Sequence, residues 1–445
     1  MGIRTKRKGI IRQALLLCLC AMLAAGCACA EKTEGVNLGK SGKNSLVYGT
    51  TLSDGRILLV GTRQAPGQDA GSGWLLCLNP DRTVSWEYTG DAADDECFDA
   101  AAELEDGTIG LMFGHTVEHE GTYKYEYALR FFTTDGKPTG KEVSIPFRGD
   151  EMVIQNATKS RLQMICTTIL TEAGENQYRS VREDSYLIDW DGNEAAYLER
   201  FDLSYSNSDM IEEADGLVMN GFAYELNLRE GVRKTDLQGN LIWETRLECA
   251  WPDTTRADAE RIIPAGDGGY IVLQMEPVQP KEDTDWEYRG ALVKLDRDGN
   301  ILWTRTEGFE EVIIGGGLLA MANGKIAVSV IHANKDGKTF RADTPRRIAW
   351  FDENGMFLGN VEMEFGTENF PQLKRPNEEP TFGIEESLNF YEDRIIPMED
   401  GMWMLGGFYL VQAEKDGTWN NMAYYNSGLF RIPEPCNEGD QEEER

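Results

Sequence analysis

Short apolar runs separated by turn residues fill this chain, and one arrangement of them recurs. Its clearest copy runs Asp267-Gly-Gly-Tyr-Ile-Val-Leu273, then a loop, then Gly290-Ala-Leu-Val-Lys-Leu-Asp296, then Arg-Asp-Gly-Asn, then Ile301-Leu-Trp-Thr304. The preceding copy is Asp215-Gly-Leu-Val-Met-Asn-Gly221, Gly231-Val-Arg-Lys-Thr-Asp236 and Leu241-Ile-Trp-Glu244. The first is Asp54-Gly-Arg-Ile-Leu-Leu-Val-Gly61, Gly73-Trp-Leu-Leu-Cys-Leu78 and Val84-Ser-Trp86. Weaker copies start near Asp106-Gly107, Lys159-Ser160, Asn323-Gly324 and Asp400-Gly401. Most marks fall roughly 52 to 56 residues apart. The runs are rich in Val, Ile, Leu, Tyr and Trp and suit strands, while Asp-Gly and Gly-Asn suit tight hairpins because Gly and Asn tolerate positive φ.

Four strands per copy, seven copies and no helical period predict an all-β fold: a single propeller of seven four-stranded blades. The last copy lacks a fourth strand after Ile432. The segment around Glu31 to Leu38 is expected to supply it, so that N- and C-terminal strands close the ring and remove an open edge. The propeller is assigned to residues 31–432, and residues 433–445 to an acidic disordered tail.

Antiparallel connectivity sorts the loops by face. First-to-second and third-to-fourth turns share one face and are short. Second-to-third loops and blade links share the other and are long: Thr62–Ser72, His115–Lys124, Leu170–Arg182, Met275–Arg289, Ile331–Arg346 and Tyr409–Tyr425, with a link from Glu362 to Leu388. Loops of that length inside a compact domain are as a rule functional or disordered, which makes this face the elaborated one. They carry Tyr123, Trp286, Tyr288, Trp419, Tyr424 and Tyr425, whose flat rings suit a glycan or a protein surface, or else pack the loops onto the ring. Trp86, Trp243 and Trp303 recur at one repeat position and are assigned to packing.

The first thirty residues read differently. Arg4, Lys6, Arg7, Lys8 and Arg12 precede an apolar run from Ala14 to Ala25, too short to cross a bilayer. This is a secretory leader with two competing processing sites. Leu23-Ala24-Ala25-Gly26-Cys27 resembles a bacterial lipobox, with cleavage before Cys27 and lipidation of its thiol. Ala28-Cys29-Ala30 is an ordinary site with cleavage after Ala30. The expected address is extracytoplasmic, as a membrane-anchored lipoprotein or a secreted protein. Loss of the leader takes the formal charge from −32 to about −37, which disfavours nucleic acid. The remaining cysteines, Cys77, Cys97, Cys166, Cys249 and Cys436, form no metal-type spacing and read mostly as buried apolar residues.

Catalytic signatures are sparse. Asp189-Trp-Asp191-Gly-Asn193 and Asp296-Arg-Asp298-Gly-Asn300 begin like a calcium loop, but their repetition at hairpins favours turn chemistry. Asp91, Asp94, Asp95 and Glu96 read as a solvated acidic link. His115 and His119 share one loop and His332 lies in another blade, so no three-His site is expected. No catalytic residue, metal site or cofactor is assigned.

The pattern G-x-L-V-K-L-D-x-x-G-N-I-L-W, at Gly290–Trp303 and Gly231–Trp243, resembles the quinoprotein-like (PQQ-repeat-like) propellers, including secreted and lipoprotein types. The resemblance covers most of residues 45–432 and implies a propeller. The enzymes' adjacent cysteines and extended tryptophan-docking pattern are missing, so no cofactor residue carries over. The expectation is a non-enzymatic, monomeric cell-surface binding or scaffolding protein for a protein or glycan partner. The alternative is an extracytoplasmic carbohydrate-active enzyme using carboxylates on the same face.

Overall fold

The computed structural model describes residues 34–435 apart from 39–42, 65–70, 92–95, 120–121, 146–150, 172–179, 199–208, 222–230, 255, 279–286, 312, 315–316, 331–345, 364–384 and 414–418. It is all-β, with seven antiparallel sheets arranged as a propeller. Blade 1 spans Lys43–Thr89, blade 2 Cys97–Ile145, blade 3 Glu151–Leu198, blade 4 Met210–Arg246, blade 5 Asp258–Arg305 and blade 6 Leu318–Met363, each a four-strand meander in chain order. Blade 5 gains a short extra strand, Ile313–Ile314, paired with Glu287–Tyr288. Blade 7 contributes Glu385–Met398, Gly401–Ala413 and Trp419–Arg431, and its fourth strand is Gly35–Asn37 from the other end of the chain. Gly35 pairs with Phe430 and Asn37 with Gly428, closing the ring as the missing strand required.

First strands neighbour one another around the axis, and fourth strands form the rim. Burial follows that order. Second and third strands such as Tyr270–Pro277 and Ser72–Leu78 are buried throughout, because neighbouring blades cover both of their faces. Fourth strands such as Val84–Thr89 and Leu241–Arg246 only half-bury alternate residues near their ends. The core is therefore a set of radial seams. One seam joins Trp74, Leu76 and Leu59 of blade 1 to Trp403, Leu405 and Leu429 of blade 7. Another joins Leu273 and Leu292 of blade 5 to Val328 and Phe351 of blade 6.

The recurring tryptophans clasp adjacent blades. Each lies over the glycine of the next blade's third-to-fourth turn. A methyl added to Gly136, Gly299 or Gly355 would come within 2.4 to 2.6 Å of Trp86, Trp243 or Trp303 respectively. Those glycines also need φ near +80° for the turn, so one residue type meets both demands. Blade 1's turn has Arg82 at that place, at φ 66°. There the seam with blade 7 is held by Arg82 lying 4.2 Å over Trp403 and pairing with Asp400 at 2.6 Å. The chain stays on the ring past Ile432: the Trp350 indole donates to the Pro433 carbonyl at 3.1 Å, and Lys325 pairs with Glu434.

Candidate functional site

The short-turn face uses its carboxylates internally. In blade 5, Asp296 Oδ1 accepts the backbone N–H groups of Asp298 and Asn300 at 2.9 and 2.8 Å. Asp189, Asp236 and Asp352 do the same work in blades 3, 4 and 6. The Asn300 amide holds the Asp296 carboxyl below its usual range, as Asn240 does for Asp236. These aspartates cap turns. Among the described residues no cluster of three or more His, Cys, Asp or Glu is placed to hold a metal ion.

The opposite face differs from the expected loops. In blade 2 the strands Ile109–His119 and Thr122–Phe132 pair down to His119 opposite Thr122, so His115–Lys124 is hairpin rather than loop. In blade 7 Tyr409–Ala413 pairs with Trp419–Tyr425, with Tyr424 opposite Leu410 and Trp419 opposite Ala413. In blade 2 charged residues interleave with Thr, Val and Tyr and hide the strand signal, while in blade 7 Glu414-Lys-Asp-Gly417 separates two stretches whose Tyr, Val and Trp suit strands. The thirteen residues of Gly401–Ala413 in blade 7 correspond to about 43 Å, against about 20 Å for the six of Gly216–Gly221 in blade 4. Tyr123, Trp419 and Tyr424 thus lie on long strands of two hairpins. Tyr288 is half-buried and packs against the seam between blades 5 and 6. Trp286 and Cys27 fall outside the described residues, as does His332.

The acidic link between blades 1 and 2 also departs from expectation. Glu96 is 4% exposed and accepts two Arg130 bonds, at 2.8 and 3.1 Å, plus the Asp91 N–H at 3.0 Å. Arg130 in turn lies 4.2 Å over the Phe113 ring. This is a structural pair holding the link onto blade 2. No two of the four described cysteines, Cys77, Cys97, Cys166 and Cys249, are joined to each other, and burial pushes the Cys77 thiol up to about 11.

Sequence reasoning missed the axis. A cavity of about 280 Å³ lies there, walled by the first strands of six blades, with Asp209 just ahead of blade 4's first strand. Its polar lining includes Tyr48, Asn156, Asp209, Arg261 and Arg394. Pro264 and Pro397 line it at the short-turn end of their strands, so it extends toward the face away from the long hairpins. Arg261 donates from Nε to the Gly317 carbonyl at 3.2 Å and meets Asp209 at 3.5 Å. Asp209 also accepts the Ile262 N–H at 3.1 Å. The Arg394 guanidinium lies 4.7 Å from the Tyr48 ring centre, and Tyr48 donates to the Ala157 carbonyl at 3.3 Å. Burial raises the Tyr48 phenol, the Arg394 charge opposing and Asp209 adding.

The bulges explain the aim of the arginines. The register of the first strands slips by one residue at Glu260 and at Asp393, just before Arg261 and Arg394. Equivalent slips occur at Val47, Asp99 and Gln155 in blades 1, 2 and 3. Burial lifts Glu260 to about 7, with Arg261 opposing and Asp209 and Asp258 adding. Burial alone lifts Asp99 to about 7, and its Oδ2 is buried without a hydrogen-bond partner. The signal for the arginines was present in the sequence as a repeated segment, Glu260-Arg-Ile-Ile-Pro264 and Asp393-Arg-Ile-Ile-Pro397.

No protein-family model and no curated protein matches the chain. Solved structures with a similar fold include puromycin hydrolase, at 13% identity and TM-score 0.46 over 89% of this chain and 55% of that one. Another is the Pyrococcus horikoshii acylaminoacyl peptidase, at 11% identity and TM-score 0.45 over 85% and 52%. A third is BBS1N in complex with ARL6DN, at 10% identity and TM-score 0.36 over 92% and 99%. The chain spans about half the length of the first two. These are likenesses of fold.

Proposed function

We propose that this propeller is an extracytoplasmic binding or scaffolding protein of the quinoprotein-like type. It is tethered through a lipidated Cys27 or secreted after Ala30, and it engages a protein or glycan partner on its long-hairpin face. One observation carries the reading: the hairpins of blades 2 and 7 extend far beyond the length of blade 4's strands, while the short-turn face consumes its own polar groups in turns. Tyr123, Trp419 and Tyr424 sit on those hairpins, where aromatic side chains supply contact area at small entropic cost.

A second reading is a carbohydrate-active enzyme. Its support is Glu260, a carboxyl held near 7 close to Asp209 at the axis, as a general acid requires. Against it, Asp209 is already engaged by Arg261 and a backbone N–H. The test is capture of peptidoglycan fragments, glycans and peptides by the mature chain, run with a hydrolysis assay. Retention without turnover supports binding; specific turnover abolished by Glu260→Gln supports the enzyme. For the anchor, Cys27→Ser is expected to release the protein from membranes or block processing, and a mature chain starting at an unmodified Glu31 would replace lipidation with secretion.

A further inference from the structure

The segment Arg-Ile-Ile-Pro occurs twice in this chain, each time after an acid, and both copies build the same cavity. Glu260–Pro264 ends the first strand of blade 5, and Asp393–Pro397 stops one residue short of the end of blade 7's. Each carries its bulge at the acid, and each contributes its arginine and proline to the axial wall. Blade 2 also has an acid at its slip, Asp99, but alanine follows it where arginine follows in blades 5 and 7. The apolar seams reach this wall through Leu319 and Ile395, and the arginines add charge to it.

We infer that the axial cavity binds a small amphipathic carboxylate, with Arg261 and Arg394 taking the acid group and Ile263, Leu319 and Ile395 its apolar body. Three observations converge on that chemistry. First, the chain carries 76 acidic against 44 basic side chains, yet the charged side chains among the described lining of this cavity are two arginines and one aspartate. Second, both guanidiniums are already oriented: Arg261 by Gly317 and Asp209, Arg394 by the Tyr48 ring. A preoriented, partly desolvated arginine binds a carboxylate more strongly than a mobile surface one. Third, the volume of about 280 Å³ suits a compact acid better than a glycan chain or peptide. The site is separate from the long-hairpin face, so neither reading depends on the other.

The test is calorimetric titration of the mature chain with phenylacetate and hexanoate, against phenylacetamide and hexanamide as uncharged counterparts. Saturable binding of an acid is expected, with its amide at least tenfold weaker. Arg394→Gln should lower acid affinity tenfold or more, and Arg394→Lys should recover part of that loss. Arg261 also ties blades 4 and 6 together, so the Arg394 pair, together with the acid-against-amide contrast on the unaltered protein, decides the matter. Trp419→Ala should leave acid binding unchanged. Absence of saturable binding by either acid, equal affinity for acid and amide, or unchanged affinity in Arg394→Gln would each overturn the proposal.

Discussion

The carboxylates of the short-turn face and those of the axis stand in opposite states. On the turn face Asp236 and Asp296 accept hydrogen bonds from their own hairpins and are held below the usual carboxylate range. Near the axis, Asp99 and Glu260 sit on bulges, and burial lifts both to about 7. The chemistry of the groups is the same; what differs is whether hydrogen-bond donors of the turn converge on them or burial strips them of water. Carboxylates used as turn caps stabilise the ring and leave little to evolve. Carboxylates left under-bonded at a bulge weaken the fold, and positions that weaken the fold are where binding or chemistry is expected.

The strongest challenge to a locked turn face is Trp243→Ala. Its ring lies over Gly299 and packs 5.9 Å from Tyr270, so about 3 kcal/mol should be lost in denaturant unfolding. A loss below about 1 kcal/mol would show that the clasps do not hold the blades. The axial side is tested by Asp99→Asn. With its pKa raised, folded Asp99 keeps its proton where the unfolded chain gives it up. Its contribution to stability is therefore fully present below the ordinary carboxylate pKa and is lost as pH rises to about 7. Asp99→Asn should remove that decline and gain on the order of 2 kcal/mol at pH 8, with a smaller gain at pH 5. Equal gains at both pH values would mean the carboxyl is not desolvated.

A finer comparison sets Gly299→Ala against Gly268→Ala. Both need positive φ, which costs about 1 kcal/mol for alanine, but only Gly299 faces an indole; nothing lies within 4 Å of a methyl at Gly268. Gly299→Ala should cost roughly 1 kcal/mol more, and equal losses would reduce the clasp to turn strain. Smallest in stability, and largest in function, are Trp286→Ala and Trp419→Ala. Each should change stability by about 0.5 kcal/mol or less while weakening capture of the partner. A large drop in melting temperature would reassign them to packing. Unchanged capture in both, with capture lost on changing Asp191 and Asp298, would move the site to the turn face.

Much of the architecture could be read residue by residue. Asp-Gly and Gly-Asn marks located the hairpins, and Trp86, Trp243 and Trp303 announced a shared packing position. The shortfall after Ile432 called for a strand from the N-terminal side, which Gly35–Asn37 supplies. The long strands of blades 2 and 7 were harder, because strand signals from periodicity need a buried face and charged residues interrupt these. Glu96 misled for a related reason: a run of acids looks solvated until Arg130, from the third strand of the next blade, folds back on it.

What the sequence determined by itself was local and repetitive: strand, turn, strand, and the number of times the unit occurs. Those features follow from backbone preferences and side-chain period acting over a few residues, and they suffice for an all-β ring. What tertiary structure alone decided was convergence. Arg261 and Arg394 are 133 positions apart in the chain, and nothing in their spacing says that both reach one cavity. Closing seven blades into a circle brings every first strand to the axis, and a one-residue bulge then aims each side chain. The depressed carboxyls of the turns could be foreseen from their Asp-x-x-Gly-Asn context. The raised ones at Asp99 and Glu260 could not, because desolvation is imposed by neighbouring blades, and the ring must exist before it acts.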